Sequence, residues 1–184
     1  DSATVSFESH RYLLYNDGSN VVPAILTVTI FEGDTPNDNL YLTEVMYSPQ
    51  SNGFDYEWVE FYNPNDIAIF VNSWTIADNQ QKDNIVSEEN EIITIPAKSV
   101  GILTSSPSTF RETYVNYKYV FSVEDVAIGN GLGTSETIIL SKNSYNDALT
   151  YTSEDGANGN GKTLTRSCYN CADWSEAVSS PGTI

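Results

Sequence analysis

The chain has 184 residues, which is enough for one domain of ordinary size with a buried core. Hydrophobic residues make up 40% and aromatic residues 12%, and this composition excludes an intrinsically disordered chain. Eight Lys and Arg residues against 25 Asp and Glu residues give a formal net charge of −17. Such a charge disfavours phosphate backbones and anionic lipid surfaces, and no apolar stretch reaches the ~18 residues of a membrane span. We therefore expect no nucleic-acid partner and no membrane insertion.

The predicted elements begin with an N-terminal β-hairpin. Ala3–Glu8 and Arg11–Tyr15 are predicted strands, and a polar turn containing Gly18 leads into a further strand over Val21–Phe31. Apolar residues occupy both faces of that last strand, a pattern typical of a strand covered on two sides. The residues expected to hold this arm in an assembly are Val21, Ile25, Leu26, Val28, Ile30 and Phe31.

A polar segment with Gly33 and Pro36 predicts a linker over residues 32–39. We therefore expect an N-terminal strand arm with its linker at 1–39 and a second domain at 40–184. In that domain, period-two alternation predicts strands separated by turns. These strands are expected at residues 40–47, 56–62, 67–71, 74–77, 91–95, 99–104, 117–123, 135–141 and 147–152. Residues 78–90 are predicted to be a long acidic loop, and only 106–113 favours a helix, with Ser106 as N-cap and Pro107 as its first residue. Many short strands of this kind favour an all-β sandwich.

Several motifs of this domain follow one another in a defined order. Residues 43–49 read T-E-V-M-Y-S-P, residues 57–63 read E-W-V-E-F-Y-N, and residues 73–78 read S-W-T-I-A-D. They are followed by I-T-I-P-A at 93–97, G-I-L at 101–103 and L-G-T-S-E-T-I-I-L at 132–140.

In this order the motifs resemble the lamin tail domain family, which is an immunoglobulin-like β-sandwich, over residues about 40–184. The resemblance implies an all-β fold and a binding or assembly module without catalytic activity. It assigns structural roles to Glu44, Glu57, Trp58, Glu60, Asn63 and Trp74. The expected core contains Leu42 or Val45, with Val59, Phe61, Trp74, Ile95, Leu103 and Ile139. Residues 1–39 lie outside the family pattern and resemble the first two strands of bacterial immunoglobulin-like surface repeats.

Paired carboxylates raise the question of acid–base catalysis. Glu57 and Glu60 are predicted to lie on opposite faces of one strand, so they cannot flank a single scissile bond. Glu44 could share a face with Glu60, and we expect both to accept hydrogen bonds from loop amides. The sole histidine, His10, lies in the arm, where it cannot form a triad with the domain. We therefore predict no catalytic residues.

The two cysteines, Cys168 and Cys171, are separated by two residues. A structural zinc site needs four ligands, and a redox-active CxxC motif needs a following helix, which the pattern here does not predict. We therefore expect a structural disulfide, which is typical of extracellular proteins.

Calcium is kept as an alternative to the expectation of no cofactor and no metal site. Residues 155–161 read D-G-A-N-G-N-G and offer oxygen ligands, but lack the closing glutamate of an EF-hand. Further oxygen atoms are available from Asp78, Asp83, Glu88, Glu89 and Glu91. The same residue types also form ordinary turns.

These observations favour a non-catalytic structural or assembly protein of the cell surface or the extracellular space. We expect it to self-associate, as a filament or surface-layer subunit, by donating its N-terminal strands to a neighbour. Its partners would be further copies of itself or other surface proteins. The alternative is a carbohydrate-binding or adhesion module, because 22 aromatic residues can supply stacking surfaces for a glycan. An arm that folds back on its own domain is a second alternative.

Overall fold

A computed structural model describes residues 38–51, 53–87, 93–115 and 117–183 in full, and the backbone alone of Ser6–Asn16 and Val21–Phe31. The chain divides into two compact units, residues 1–37 and 38–184. In the first unit, strands β1 (Ser6–Asn16) and β2 (Val21–Phe31) form an antiparallel two-stranded sheet, with Ser6 opposite Phe31 and Asn16 opposite Val21. The side chains of the predicted arm residues lie outside the described part, so their role in assembly stays a prediction.

Strands dominate the second unit. They are β3 (Tyr41–Met46), β4 (Trp58–Asn63), β5 (Ile69–Phe70), β6 (Thr75–Ala77), β7 (Lys82–Val86), β8 (Thr94–Ile95), β9 (Ser99–Thr104), β10 (Val120–Val123), β11 (Ser135–Lys142), β12 (Tyr145–Thr152), β13 (Lys162–Arg166) and β14 (Trp174–Val178). Helix α1 (Pro107–Thr113) begins at Pro107 as predicted, although the Ser106 hydroxyl bonds Thr109 Oγ1 at 2.8 Å and caps no backbone amide. Short 3₁₀ turns lie at Phe54–Tyr56 and Ser153–Asp155. Among the described residues, no helix is long and apolar enough to cross a membrane.

One curled ten-stranded sheet forms the sandwich, in the order β12-β11-β6-β7-β10-β9-β4-β3-β13-β14. Its first four strands form one layer and its last six the other. The layers are joined where β7 meets β10 over only two residue pairs, Ser122–Val86 and Val123–Ile85. The core lies between the layers and includes Ile76, Ile138 and Leu140 from one, with Phe61 and Leu103 from the other. This immunoglobulin-like sandwich confirms the predicted fold class.

A bulge in β3 explains why both candidate core residues near its start are buried. The pairing of β3 with β4 shifts register between Leu42 and Glu44. An extra residue in one strand rotates the following side chains to the opposite face. Leu42 and Val45 therefore both face the core, and both are 0% exposed.

Other sequence predictions were also wrong in detail, and the predicted strands did not include β13 and β14. Ile139 is only half-buried, because the alternation along β11 turns Ile138 and Leu140 into the core instead. The predicted loop over 78–90 contains strand β7, which the sequence pattern hid because one inward-facing residue of this strand is Asp83. That carboxylate is buried, and it accepts a hydrogen bond from the Gly129 amide at 2.6 Å.

Candidate functional site

Two buried glutamates lie side by side on the outer face of the larger layer. Glu44 of β3 is paired directly with Glu60 of β4, and they are 1% and 0% exposed. Glu44 accepts hydrogen bonds from Thr163 Oγ1 at 2.5 Å and from the Ser180 amide at 2.9 Å. Glu60 accepts them from Thr43 Oγ1 at 2.6 Å and from the Gly182 amide at 2.5 Å. The pair therefore fastens the C-terminal segment over the sheet.

Burial changes the protonation of both carboxyl groups. Loss of solvation raises the pKa of Glu60 from 4.5 to about 7, against the lowering effect of its hydrogen bonds. The pKa of Glu44 is raised for the same reason, and its hydrogen bonds to Thr163 and Ser180 oppose the shift. The hydrogen-bond partners of Glu44 and Glu60 are backbone amides and hydroxyl groups, as expected for carboxylates that hold a loop in place.

A glycine-rich loop at the edge of the sandwich is held by four further buried acids. Its amides at Gly129, Asn130 and Leu132 donate to the carboxylates of Asp83, Asp78 and Glu57 at 2.6, 2.9 and 2.9 Å. The fourth, Glu136, packs against Gly133 and accepts a hydrogen bond from the Asn79 amide at 3.4 Å.

Glycine is required at position 129 of this loop. Its φ is +59°, and an added Cβ would lie 2.2 Å from Asp78 Oδ2. Burial raises the pKa of the neighbouring Glu57 to about 7, although the bond from Leu132 opposes this shift.

The other family-motif residues also have structural surroundings. Trp58 packs edge-on against Phe110 of α1, on the opposite face from Val59 and Phe61, as the strand alternation predicts. The Asn63 side-chain amide donates to the carbonyls of residues 67, 95 and 96 at 2.8, 3.1 and 2.9 Å, so it fixes the turn after β4. Trp74 is 1% exposed within the core.

The cysteines form a disulfide, as predicted, with a Cα–Cα distance of 5.1 Å. It closes a loop that places Tyr169 between Tyr41 and Tyr62, with ring centroids 5.3 Å apart on each side. The Tyr169 carbonyl accepts a hydrogen bond from Arg166 Nη1 at 2.8 Å. The disulfide-closed loop therefore holds Tyr169 in contact with Tyr41 and Tyr62 at the end of β13.

The oxygen-rich loop proposed for calcium has protein partners. The Asp155 carboxylate caps the preceding 3₁₀ turn through the Thr152 amide at 2.7 Å. Glu176 of β14 accepts hydrogen bonds from the Ala157 amide and from Asn160 Nδ2 at 2.6 and 2.8 Å. Lys162 Nζ lies 2.5 Å from Glu176 Oε1. The hydrogen bonds from Lys162, Ala157 and Asn160 together lower the pKa of the exposed Glu176 carboxyl to about 2. Across the described residues, no group of three or more acidic, His or Cys side chains is arranged to hold a metal ion. Glu88, Glu89 and Glu91 lie outside that part of the chain.

The two terminal strands of the ten-stranded sheet differ in how they are covered. On β12, Asp147 accepts hydrogen bonds from the Leu42 amide at 2.8 Å and from Arg166 Nη1 at 2.9 Å, so the other layer closes over this edge. On β14, Val178 is 77% exposed, and β13 is its partner strand within the sheet. β14 contains neither Lys nor Pro, the residues that commonly protect an edge strand.

Sequence reasoning missed the residues that meet these acids. Ser180 and Gly182 lie 136 and 122 positions from the glutamates that bind them, and neither carries a local signal of that role. Glu136 was missed for the same reason. The acidic residues within the strand motifs could be recognised from the sequence, but the loop residues that bind them could not.

Comparison with known proteins agrees with the fold and with these motif positions. The family model of the Lamin Tail Domain matches residues 33–161. No curated protein and no solved structure matches the chain. The matched region spans most of the chain, including the E-W-V-E-F-Y-N strand and the glycine-rich loop. The chain therefore belongs to the lamin tail domain family, a family of immunoglobulin-like structural domains.

Proposed function

We propose that this protein is a non-catalytic assembly subunit that donates its hairpin β1–β2 to strand β14 of a neighbouring copy. The observation that carries the proposal is that β1 and β2 form a two-stranded sheet of their own, while the ten-stranded sheet ends at β14. A two-stranded hairpin is marginally stable in water, so it gains most from pairing with a further strand. An exposed edge strand that contains neither Lys nor Pro offers that strand.

The contacts of the two terminal strands favour β14 over β12 as the acceptor. The carboxylate of Asp147 fastens β12 to the opposite layer, whereas Glu176 of β14 binds the loop that precedes its own partner strand, and Val178 stays exposed. A donated hairpin extends the sheet by backbone hydrogen bonds, which is the mode of strand addition. Each copy then gives one hairpin and receives one, and such a head-to-tail contact builds a filament when it does not close.

Two further features support an extracellular location and a non-catalytic role for this protein. The Cys168–Cys171 disulfide is typical of oxidising compartments. The buried acids Glu44 and Glu60 are occupied by loop amides and hydroxyls, which leaves them without the arrangement of a hydrolytic pair. Purified protein should therefore be inactive on glycan, ester and phosphodiester panels. Turnover that disappears in Glu60→Gln would contradict the non-catalytic assignment.

The assembly is tested by comparing the full chain with a truncated form that starts at Asp38. Light scattering and electron microscopy should show concentration-dependent association of the full chain and a monomer after truncation. Val178→Lys places a charge on the acceptor edge and should weaken association. Val126→Lys is the matched control, because Val126 is 78% exposed but lies in a loop away from that edge.

Two outcomes would reject the proposal. A full chain that stays monomeric at high concentration, with its hairpin protected from protease, would show that the arm folds on its own domain. Equal association of the Val178→Lys and Val126→Lys variants would show that β14 is not the acceptor edge.

A further inference from the structure

A cleft of about 500 Å³ lies on the outer side of β9, away from the edge proposed for assembly. Its lining includes Tyr62, Tyr117 and Tyr119, with Lys98 and Lys118. Ser99, Val100 and Gly182 complete the lining. The volume is within the usual range for small-ligand sites.

The tyrosine rings are held in place before any ligand arrives. Tyr62 contacts the Tyr169 ring at a centroid distance of 5.3 Å. Tyr117 contacts the Phe110 ring at 5.6 Å and lies against the backbone of Gly182, where an added Cβ would be 2.5 Å from the Tyr117 hydroxyl. Aromatic walls that are already ordered lower the entropic cost of binding a ligand.

Two cationic side chains line the cleft, although the chain as a whole is strongly acidic. Among the described residues that line it are two lysines and no acidic residue, in a protein of formal net charge −17. Lys98 Nζ lies 2.9 Å from the exposed carboxylate of Asp66, and Lys118 Nζ lies 5.5 Å from the centroid of the Tyr119 ring. Lysine ammonium groups at the rim favour an anionic ligand.

We propose that this cleft binds an acidic saccharide, a short pyranose oligomer that carries carboxylates. The negative face of a tyrosine ring attracts the C–H groups of a sugar ring, and phenolic and Ser99 hydroxyls match sugar hydroxyls. The lysines pair with the carboxylates.

An acidic peptide suits the cleft less well. Peptides that bind a sheet commonly add to a free strand edge. At the floor, β9 pairs with β4 through Ser99 and Val100, and its pairing with β10 begins at Ile102. The part of β9 that β10 leaves unpaired is only residues 99–101, which is short compared with an ordinary strand of about five to six residues.

The test uses the full chain in buffer containing EDTA, titrated calorimetrically with trigalacturonate and with a hyaluronan tetrasaccharide. At least one of them should bind saturably, and trigalacturonate should bind at least about fivefold more tightly than its methyl ester. Lys98→Gln and Lys118→Gln should each weaken binding by about two- to fivefold, because each removes one exposed ion pair. Lys82→Gln is the matched control, since Lys82 is exposed on β7, away from the cleft. Amide resonances of Ser99 and Gly182 should shift on binding.

The proposal is overturned if neither acidic saccharide binds, or if the ester binds as tightly as the acid. It is also overturned if both lysine variants bind like the Lys82→Gln control. Tighter binding of a triglutamate peptide than of either saccharide would assign the cleft to peptides and reject the saccharide.

Discussion

Replacement of Glu60 by Gln should make the protein more stable at neutral and alkaline pH. The Glu60 carboxyl is 0% exposed, and its oxygens accept hydrogen bonds from Thr43 and Gly182. A glutamine can keep both contacts, because its oxygen accepts from the Gly182 amide and its NH₂ group donates to the Thr43 hydroxyl. The substitution therefore removes a buried charge and keeps the contacts to Thr43 and Gly182, with the Thr43 hydroxyl accepting instead of donating.

The size of the effect follows from the pKa of Glu60. Burial raises this pKa from 4.5 to about 7, so the folded state binds more protons than the unfolded chain between these values. The stabilising contribution is complete below pH 4.5 and is lost as the pH rises through about 7. The shift corresponds to roughly 3 kcal/mol of unfolding free energy. Glu60→Gln should resemble the wild type near pH 4 and exceed its stability by up to about 3 kcal/mol at pH 8.5.

Urea unfolding from pH 4 to 8.5, followed by tryptophan fluorescence, measures this difference directly. Glu112→Gln on the exposed side of α1 is the matched control and should leave the pH dependence unchanged. Unfolding free energies that run parallel for wild type and Glu60→Gln at all pH values would refute the reasoning. So would a loss of stability in Glu60→Gln at pH 8.5, because it would mean that the charged form is favoured in the fold.

Three other substitutions test the sandwich and its loops. Trp74→Ala should lower the unfolding free energy by about 3–5 kcal/mol, and an unchanged urea midpoint would mean that the ring is not part of the core. Gly129→Ala should lower the unfolding free energy by about 2 kcal/mol more than Gly159→Ala in the same urea assay. Both glycines have a positive φ, but only Gly129 lies against a carboxylate. Equal losses in the two variants would show that the contact between Gly129 and Asp78 does not constrain this position. Replacing Cys168 and Cys171 together by serine should cost about 2 kcal/mol in thermal unfolding, as expected for a very short loop, and a loss of folding would assign the disulfide a larger role.

The sequence predicted those features that depend on local periodicity. Val59 and Phe61 face the core while Trp58 and Glu60 face outwards, because a strand alternates with a period of two whatever its partners are. Helix α1 starts at Pro107 because proline is preorganised for the first turn. Motif order was equally informative, since it depends on the sequence alone and agrees with the family match over residues 33–161.

Features that depend on distant partners could not be predicted. The bulge between Leu42 and Glu44 depends on how β3 pairs with β4, and nothing within β3 itself marks it. Asp83 reads as a loop residue until Gly129 is placed beside it, 46 positions along the chain. The cleft tyrosines Tyr62 and Tyr117 come from separate segments that only the sheet brings together.

The abundance of acidic residues has a structural explanation, which affects how the function of the chain is inferred. In sequence, an excess of carboxylates favours cation binding or catalysis, but here many of these groups accept hydrogen bonds from loop amides. The carboxylates with such amide partners are those of Glu44, Glu57, Glu60, Asp78, Asp83, Glu136 and Glu176. A carboxylate is acceptor-only when ionised, so it can fasten two or three amides of a loop that lacks regular structure. These carboxylates therefore hold the long loops of the sandwich in place.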